Sequence, residues 1–273
     1  MTDGASVSAR GIAPARLQPL NPLGFLLYLI AVIFLLWSFQ GAGWSFTKLT
    51  MGMPAVGDFL ARAWPPSLER LDRLGWSILE TFQMALVGTA VGVLLSVPLA
   101  ILAADGLSGS RVVYSLARAL IALFRTVPDL IWALVFVICV GLGPFAGTLA
   151  IVVDTLGFCG RFFAEAMEDT DKRPQEALTA LGASRIDTIC CAILPAAMPS
   201  FITTSLFALE KSTRSSVVLG LVGAGGIGLE LKVAMDFFNY QLAMTIILLI
   251  FILVLAVERL GTLLRRRILD ESR

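Results

Sequence analysis

The chain has no histidine, so it lacks the side chain that most often titrates near neutral pH and most often ligates metals. What remains for chemistry is charge set beside apolar runs. Glu210, Lys211 and Arg214 directly follow one such run, Arg125 and Asp129 flank Pro128, and Glu80 and Asp154 stand inside others. Charge at these places is expensive, and it marks either a solute pathway or a structural ion pair. Both readings stay open for Arg125, Asp129, Lys211, Arg214, Glu210 and Glu80. The four cysteines, Cys139, Cys159, Cys190 and Cys191, form no C-x-x-C and lie in or beside apolar segments. They read as small buried hydrophobes, not as disulfides or zinc ligands. No catalytic residue and no metal site is expected.

Gly223-Ala224-Gly225-Gly226-Ile227-Gly228 spells a formal G-x-G-x-x-G. A dinucleotide site needs a following amphipathic helix, another strand and a soluble sheet. The glycines here lead instead into a short polar piece and an apolar span, so they are read as a sharp bend or a close packing point at the membrane edge. No G-x-x-x-x-G-K-[ST] occurs, so the chain is expected to hold no ATP or Mg of its own.

The elements that must position these residues are mostly lipid-soluble. Apolar residues make up 57% of the chain and charged residues 15%, against about 45–50% and ~25% in a soluble domain. The fold class is therefore an all-α polytopic membrane protein. The net charge of +1 carries no nucleic-acid signal. Residues 1–22 read as a polar tail, and 23–39 as the first transmembrane helix. That run is too long, and lacks a clean cleavage site, for a signal peptide. Residues 40–74 form an extracytoplasmic loop, with a short amphipathic helix expected where Leu68, Leu71 and Leu74 recur at a spacing of three.

Further spans are expected from Gly75 to Ala104, from Phe145 to about Met167, from Ala192 to about Leu209 with breaks at Pro195 and Pro199, and from about Tyr240 to Leu264. Leu130 to Val140 is also strongly apolar, and Arg111 to Phe124 lies either along the surface or at the start of a tilted span. That makes about six transmembrane helices. Gly88 and Gly92 have the spacing that lets helices approach closely in lipid. Basic residues favour a cytosolic N-terminus and C-terminus, most clearly through Arg265-Arg266-Arg267. The same count places residues 168–191 inside, and 268–273 as a cytosolic tail.

Within that inside segment stands Glu176-Ala177-Leu178-Thr179-Ala180-Leu181-Gly182-Ala183-Ser184-Arg185. Pro174 can start a helix, Gly182 can end it in a left-handed cap, and Leu178 and Leu181 share one face. A stubby helix, about 12 Å long at ~1.5 Å per residue, with an apolar knob suits insertion into a groove on a partner.

The run from Glu176 to Gly182, closed by Leu194-Pro195, resembles the EAA loop of ABC importer permeases, with Leu178 at the family's second Ala and Ala192 where the family has Ile. Leu79–Thr89, Phe124–Leu134, Val140–Gly147, Gly157–Ala166 and Glu210–Ser216 resemble the permease core of the phosphonate/phosphite branch. The likeness covers roughly Trp64 to the C-terminus.

The resemblance implies a type I importer permease fold like that of methionine permeases, with a core over 75–267, in a bacterial inner membrane. It also implies a second copy of the chain, two ATPase subunits that bind ATP and Mg, and an extracytoplasmic substrate-binding protein. Glu176, Ala177, Leu178, Leu181, Gly182, Ala183 and Arg185 would form the ATPase coupling surface. The solute would be a small phosphorus oxyanion (phosphonate, phosphite or phosphate), carried by alternating access. A permease for another small solute such as an amino acid is the alternative. A secondary transporter would show internal repeats or paired broken helices, and a membrane enzyme would have only carboxylate or Lys/Arg chemistry.

Overall fold

The computed structural model describes Pro22–Glu271, with side chains as far as Arg267. The expected polar tail at 1–21, and Ser272-Arg273, lie outside the described residues. The chain divides into two units, one ending at Asp58 and one starting at Phe59.

In the first unit, α1 (Pro22–Gly41) is 20 residues long and uniformly apolar, and none of its residues is buried. At ~1.5 Å per residue it reaches ~30 Å, the hydrocarbon thickness of a bilayer. The amphipathic helix expected at Leu68–Leu74 is not there. Helix α2 occupies Phe46–Ala63 instead, with Pro54 inside it, and Leu71 to Leu74 are the first turn of α3 (Leu71–Ala103). Trp64-Pro65-Pro66 sets this boundary, because a residue preceding proline is pushed out of the helical region.

α2 crosses the division, and the second unit holds all of α3, after which α4 (Arg111–Thr126), α5 (Asp129–Val140), α6 (Pro144–Glu168), the short α7 (Lys172–Ala180) and α8 (Arg185–Thr188), then α9 (Leu194–Leu219), α10 (Gly226–Asp236) and α11 (Tyr240–Glu271) follow in order. α11 runs on as helix through 268–271, where a tail was expected. All elements among the described residues are helical.

The core is the contact of α3 with α6. A Cβ added at Gly88 would lie 2.6 Å from Ile151 Cγ2, and one at Gly92 2.6 Å from Thr155 Cβ. The two glycines therefore let the backbones meet, as their spacing predicts. Around this seam pack Phe163 of α6 and Phe201 of α9, stacked at 4.1 Å between ring centroids.

Polar contacts sort the connections into two ends. At one end, Arg73 pairs with Glu230, Ser67 N–H donates to Gln241 O, and Gly143 N–H donates to Gly223 O at 3.0 Å. At the other, Glu168 meets both Asp105 N–H and Arg118, and Arg185 reaches Gly109. This settles the Arg111–Val140 segment. α4 starts at the second end and reaches Gly157, halfway along α6. Pro128 then breaks the chain by 91°, and α5 continues to Gly141 at the first end. Taken together the bent pair is long and apolar enough for one crossing, which brings the candidate spans among the described residues to six with α1 counted.

A second difference concerns α9. It runs unbroken through Glu210, Lys211 and Arg214, which therefore lie within a helix rather than beyond its end. Pro195 falls in its first turn, where a missing N–H costs little. A π turn at Ile189–Ile193 precedes it, with Leu194 N–H donating to Ile189 O. The wider turn makes room for the proline ring, which would otherwise crowd the carbonyl four residues back. The cysteines differ as well: Cys159 is buried, while Cys139, Cys190 and Cys191 are exposed.

Candidate functional site

The hairpin of α7 and α8 is built by its caps. The Asp171 carboxylate accepts from Arg173 N–H, so the helix begins at Lys172, two residues before Pro174. At the other end Gly182 has φ +85°. Its N–H donates to Thr179 O, and Ala183 N–H donates to Leu178 O. This paired closure needs a left-handed residue, and glycine takes it at least cost. Ser184 and Asp187 then form a reciprocal capping box that starts α8.

The result presents apolar groups at the surface of the protein. Leu181 is 85% exposed and Ile186 72% exposed, while Leu178 is half-buried, so only Leu181 of the expected leucine pair forms a free knob. Glu176 and Ala177 are exposed. Ala183 and Arg185 line a cavity of about 190 Å³ that also includes Gly106, Leu107 and Ile193, which ties the hairpin to the α3–α4 connection.

The charged residues resolve into separate arrangements. Lys211 Nζ sits 2.8 Å from both carboxylate oxygens of Asp154 and 5.1 Å from the Phe158 ring centroid. Arg214 pairs with Glu210 one turn away on α9, at 2.9 Å. Asp129 does not pair with Arg125; it accepts from Leu130 N–H at the start of α5. Glu80 lies beside the glycine bend, where a Cβ on Gly225 would be 3.0 Å from its Oε1.

Arg125 instead shares a cleft of about 150 Å³ with Arg118 and Arg161, between α4 and α6. Neither Arg118 nor Arg161 is evident as a partner of Arg125 when the charges are weighed one at a time. The available signal was spacing: Arg111, Arg118 and Arg125 are seven residues apart, about two helical turns at 3.6 residues each.

The glycine run is a fold in the backbone. Gly223, Gly225 and Gly226 have φ of +98°, +84° and +66°. A Cβ on Gly228 would collide with Val217 O. Ile227 N–H donates to Thr81 Oγ1 at 2.8 Å, and that hydroxyl donates to Ser77 O. The run packs on α3, and the buried donor of Ile227 is already spent on the protein, which is the bend and close packing expected of it.

Comparison with known proteins agrees with this architecture. Residues 96–270 match the family described as "Binding-protein-dependent transport system inner membrane component". A permease of Stutzerimonas stutzeri, provisionally named for phosphite transport (HtxC), is 38% identical over 228 residues, covering 84% of this chain and 81% of its own length. The phosphate-import permease PhnE of Mycolicibacterium smegmatis is 39% identical over 220 residues, covering 80% of this chain and 41% of that longer protein. Among solved structures, the methionine ABC transporter MetNI in an inward-facing conformation superposes with a TM-score of 0.64 at 22% identity, over 74% of this chain and 98% of that one. At that identity the superposition speaks for the fold alone. With a matching model over most of its length, relatives alike along four fifths of it and a helical bundle of the importer type, the chain belongs to the inner-membrane permeases of binding-protein-dependent ABC import systems.

Proposed function

We propose that this chain is the permease subunit of an ATP-driven importer for a small phosphorus oxyanion, in which two copies enclose the pathway. Two ATPase subunits dock on the α7–α8 hairpins, and an extracytoplasmic binding protein delivers the solute. The observation that carries the coupling role is the exposed Leu181–Ile186 knob, held by a glycine cap and a capping box in a segment between two spans. Exposed apolar groups on a rigid polar hairpin suit a groove on a soluble partner. The substrate reading rests on the names of the relatives, phosphite for one and phosphate for another.

Orientation follows from charge. α11 starts at the opposite end, where Gln241 O accepts from Ser67 N–H, so its length carries Arg265–Arg267 to the end that holds Lys172, Arg173 and Arg185, which supports placing that end and the C-terminus in the cytosol. ATP binding would close the two ATPases, draw the hairpins together and turn the pathway from inward-open to outward-open.

The test is Gly182→Asp, co-expressed with the partner ATPase. It removes the residue suited to φ +85° and puts a charge beside the knob. Membrane insertion is expected to persist while assembly with the ATPase, or coupled ATP hydrolysis, is lost. Normal uptake by this variant would reduce the hairpin to a connector.

A further inference from the structure

Seven-residue spacing puts Arg111, Arg118 and Arg125 on one face of α4, and the last two line one cleft with Ile121, Ala122, Ala164 and Arg161 of α6. Arg118 pairs with Glu168 and also donates from Nε to Ala103 O at 2.8 Å. Arg161 pairs with Glu165 at 2.6 Å. None of the ion pairs among the described residues includes Arg125. Three guanidiniums therefore face two carboxylates, and one positive charge is left over.

The depth of that charge is what gives it meaning. A Cβ on Gly157 would lie 3.0 Å from Arg125 N, and Gly157 is near the middle of the Pro144–Glu168 span. Arg125 thus leaves the backbone at mid-membrane depth with its side chain exposed on the protein surface. A charged group there is tolerated where it borders water or meets a counter-charge. Lys211 has its counter-charge in Asp154; Arg125 has none among the described residues.

We propose that the Arg118–Arg125–Arg161 cleft is an anion station on the translocation pathway, taking a tetrahedral phosphorus oxyanion. The proposal rests on the reading of the chain as an importer of such ions. Arg125 receives the ion at mid-depth. Arg118, two helical turns nearer the hairpin end, and Arg161 receive it next. A planar fork offers paired donors to tetrahedral oxygens. The cleft of about 150 Å³ holds more than one water, which suits a small, partly hydrated ion. Glu165 and Glu168 compete for Arg161 and Arg118, so the ion is held weakly enough to leave, as conduction requires.

The experiment uses the full complex with its ATPase and binding protein in proteoliposomes, and reads uptake of phosphite, methylphosphonate and phosphate per ATP hydrolysed. Arg125→Gln is expected to lower uptake per ATP at least tenfold, and Arg125→Lys to restore part of it. Unchanged uptake in Arg125→Gln, within twofold, overturns the station. If the unaltered complex carries none of the three ions, the reading of the importer's substrate fails instead.

An independent arm keeps the proposal testable where Arg125→Gln does not assemble. In a chain whose four cysteines are replaced by serine, Ala122→Cys is expected to react with charged thiol reagents and to be protected by phosphite. No reaction in any nucleotide state overturns the aqueous path. Native mass spectrometry separates a lipid headgroup from the solute: loss of a bound phospholipid from Arg125→Gln with uptake intact assigns the cleft to lipid and refutes the proposal.

Discussion

Lys211 on α9 and Arg125 on α4 are both cations set in membrane-spanning helices, and they are handled in opposite ways. Lys211 is 35% exposed and faces both oxygens of an aspartate that is 17% exposed. Arg125 is exposed and has no carboxylate partner among the described residues. The first arrangement joins α6 to α9 and leaves little charge to offer a solute. The second joins nothing and leaves its charge available. Position alone, beside an apolar run, cannot tell a clamped charge from a free one; the partner decides.

That contrast can be broken most sharply at Asp154. Asp154→Asn strands Lys211 in the bundle and is expected to cost about 2–3 kcal/mol, at or below the lower end for a buried pair because Lys211 is partly exposed. It would appear as a lower melting midpoint of the detergent-solubilised chain, with recovery in the exchanged Asp154→Lys, Lys211→Asp double variant. Arg125→Gln, which strands no partner, should leave the same midpoint unchanged. Equal losses in the two would erase the distinction between clamp and pathway residue.

A smaller effect is expected from Gly157→Ala, which sharpens the contrast by moving the cleft without touching a charge. Its Cβ would meet Phe124 Cβ at 2.9 Å and Arg125 N at 3.0 Å. Backbone cannot swing away, so α4 must shift, at about 1–3 kcal/mol. Gly160→Ala is the control, since it meets only Ile121 side-chain atoms at 3.3 Å and Leu99 beyond. Melting midpoints measured beside phosphite uptake should fall further for Gly157→Ala than for Gly160→Ala.

The smallest effect belongs to Arg214→Gln. Its pairing with Glu210 is a single-helix contact with the arginine side chain 49% exposed, worth about 0.3–0.5 kcal/mol. A shift in melting midpoint as large as that of Asp154→Asn would show that Glu210 is buried by something beyond this chain.

Sequence reasoning does best where one residue type has one physical use. Gly182 is legible as a helix end because few other residues accept its φ. Gly88 and Gly92 are legible as a packing seam because a larger side chain would collide with α6. It does worse where a residue has two uses. Pro195 and Pro199 read as breaks, yet Pro195 falls in the first turn of α9, where a proline costs little, and the helix runs on through Pro199 inside it. Leu68, Leu71 and Leu74 match a helical period, but the residues after Trp64-Pro65-Pro66 begin α3 instead, and the surface helix forms ahead of those prolines. Pro128 is legible as an interruption, not as a bend of 91°. The pairing of Asp154 with Lys211 spans 57 residues of sequence and is set by how α6 and α9 cross, which no local pattern encodes. Arg118 and Arg161 escape notice when each charge is weighed singly.

The π turn at Ile189–Ile193 joins α8 to α9 within one continuous helix. Force applied at Leu181 would therefore pass into the whole span, through one turn wound differently from the rest. A π turn closes each hydrogen-bonded ring one residue later than an α turn, so the segment stores a residue that ordinary winding does not need. Rewinding it to α geometry would take up about 1.5 Å per residue along the axis and turn the hairpin by part of a revolution. Ile193 stays anchored in the core while Cys190 and Cys191 face outward, so such rewinding would disturb the exposed side before the buried one. With such rewinding the span would act less as a lever than as a shaft with a coupling in it, passing on torque while giving a little in length.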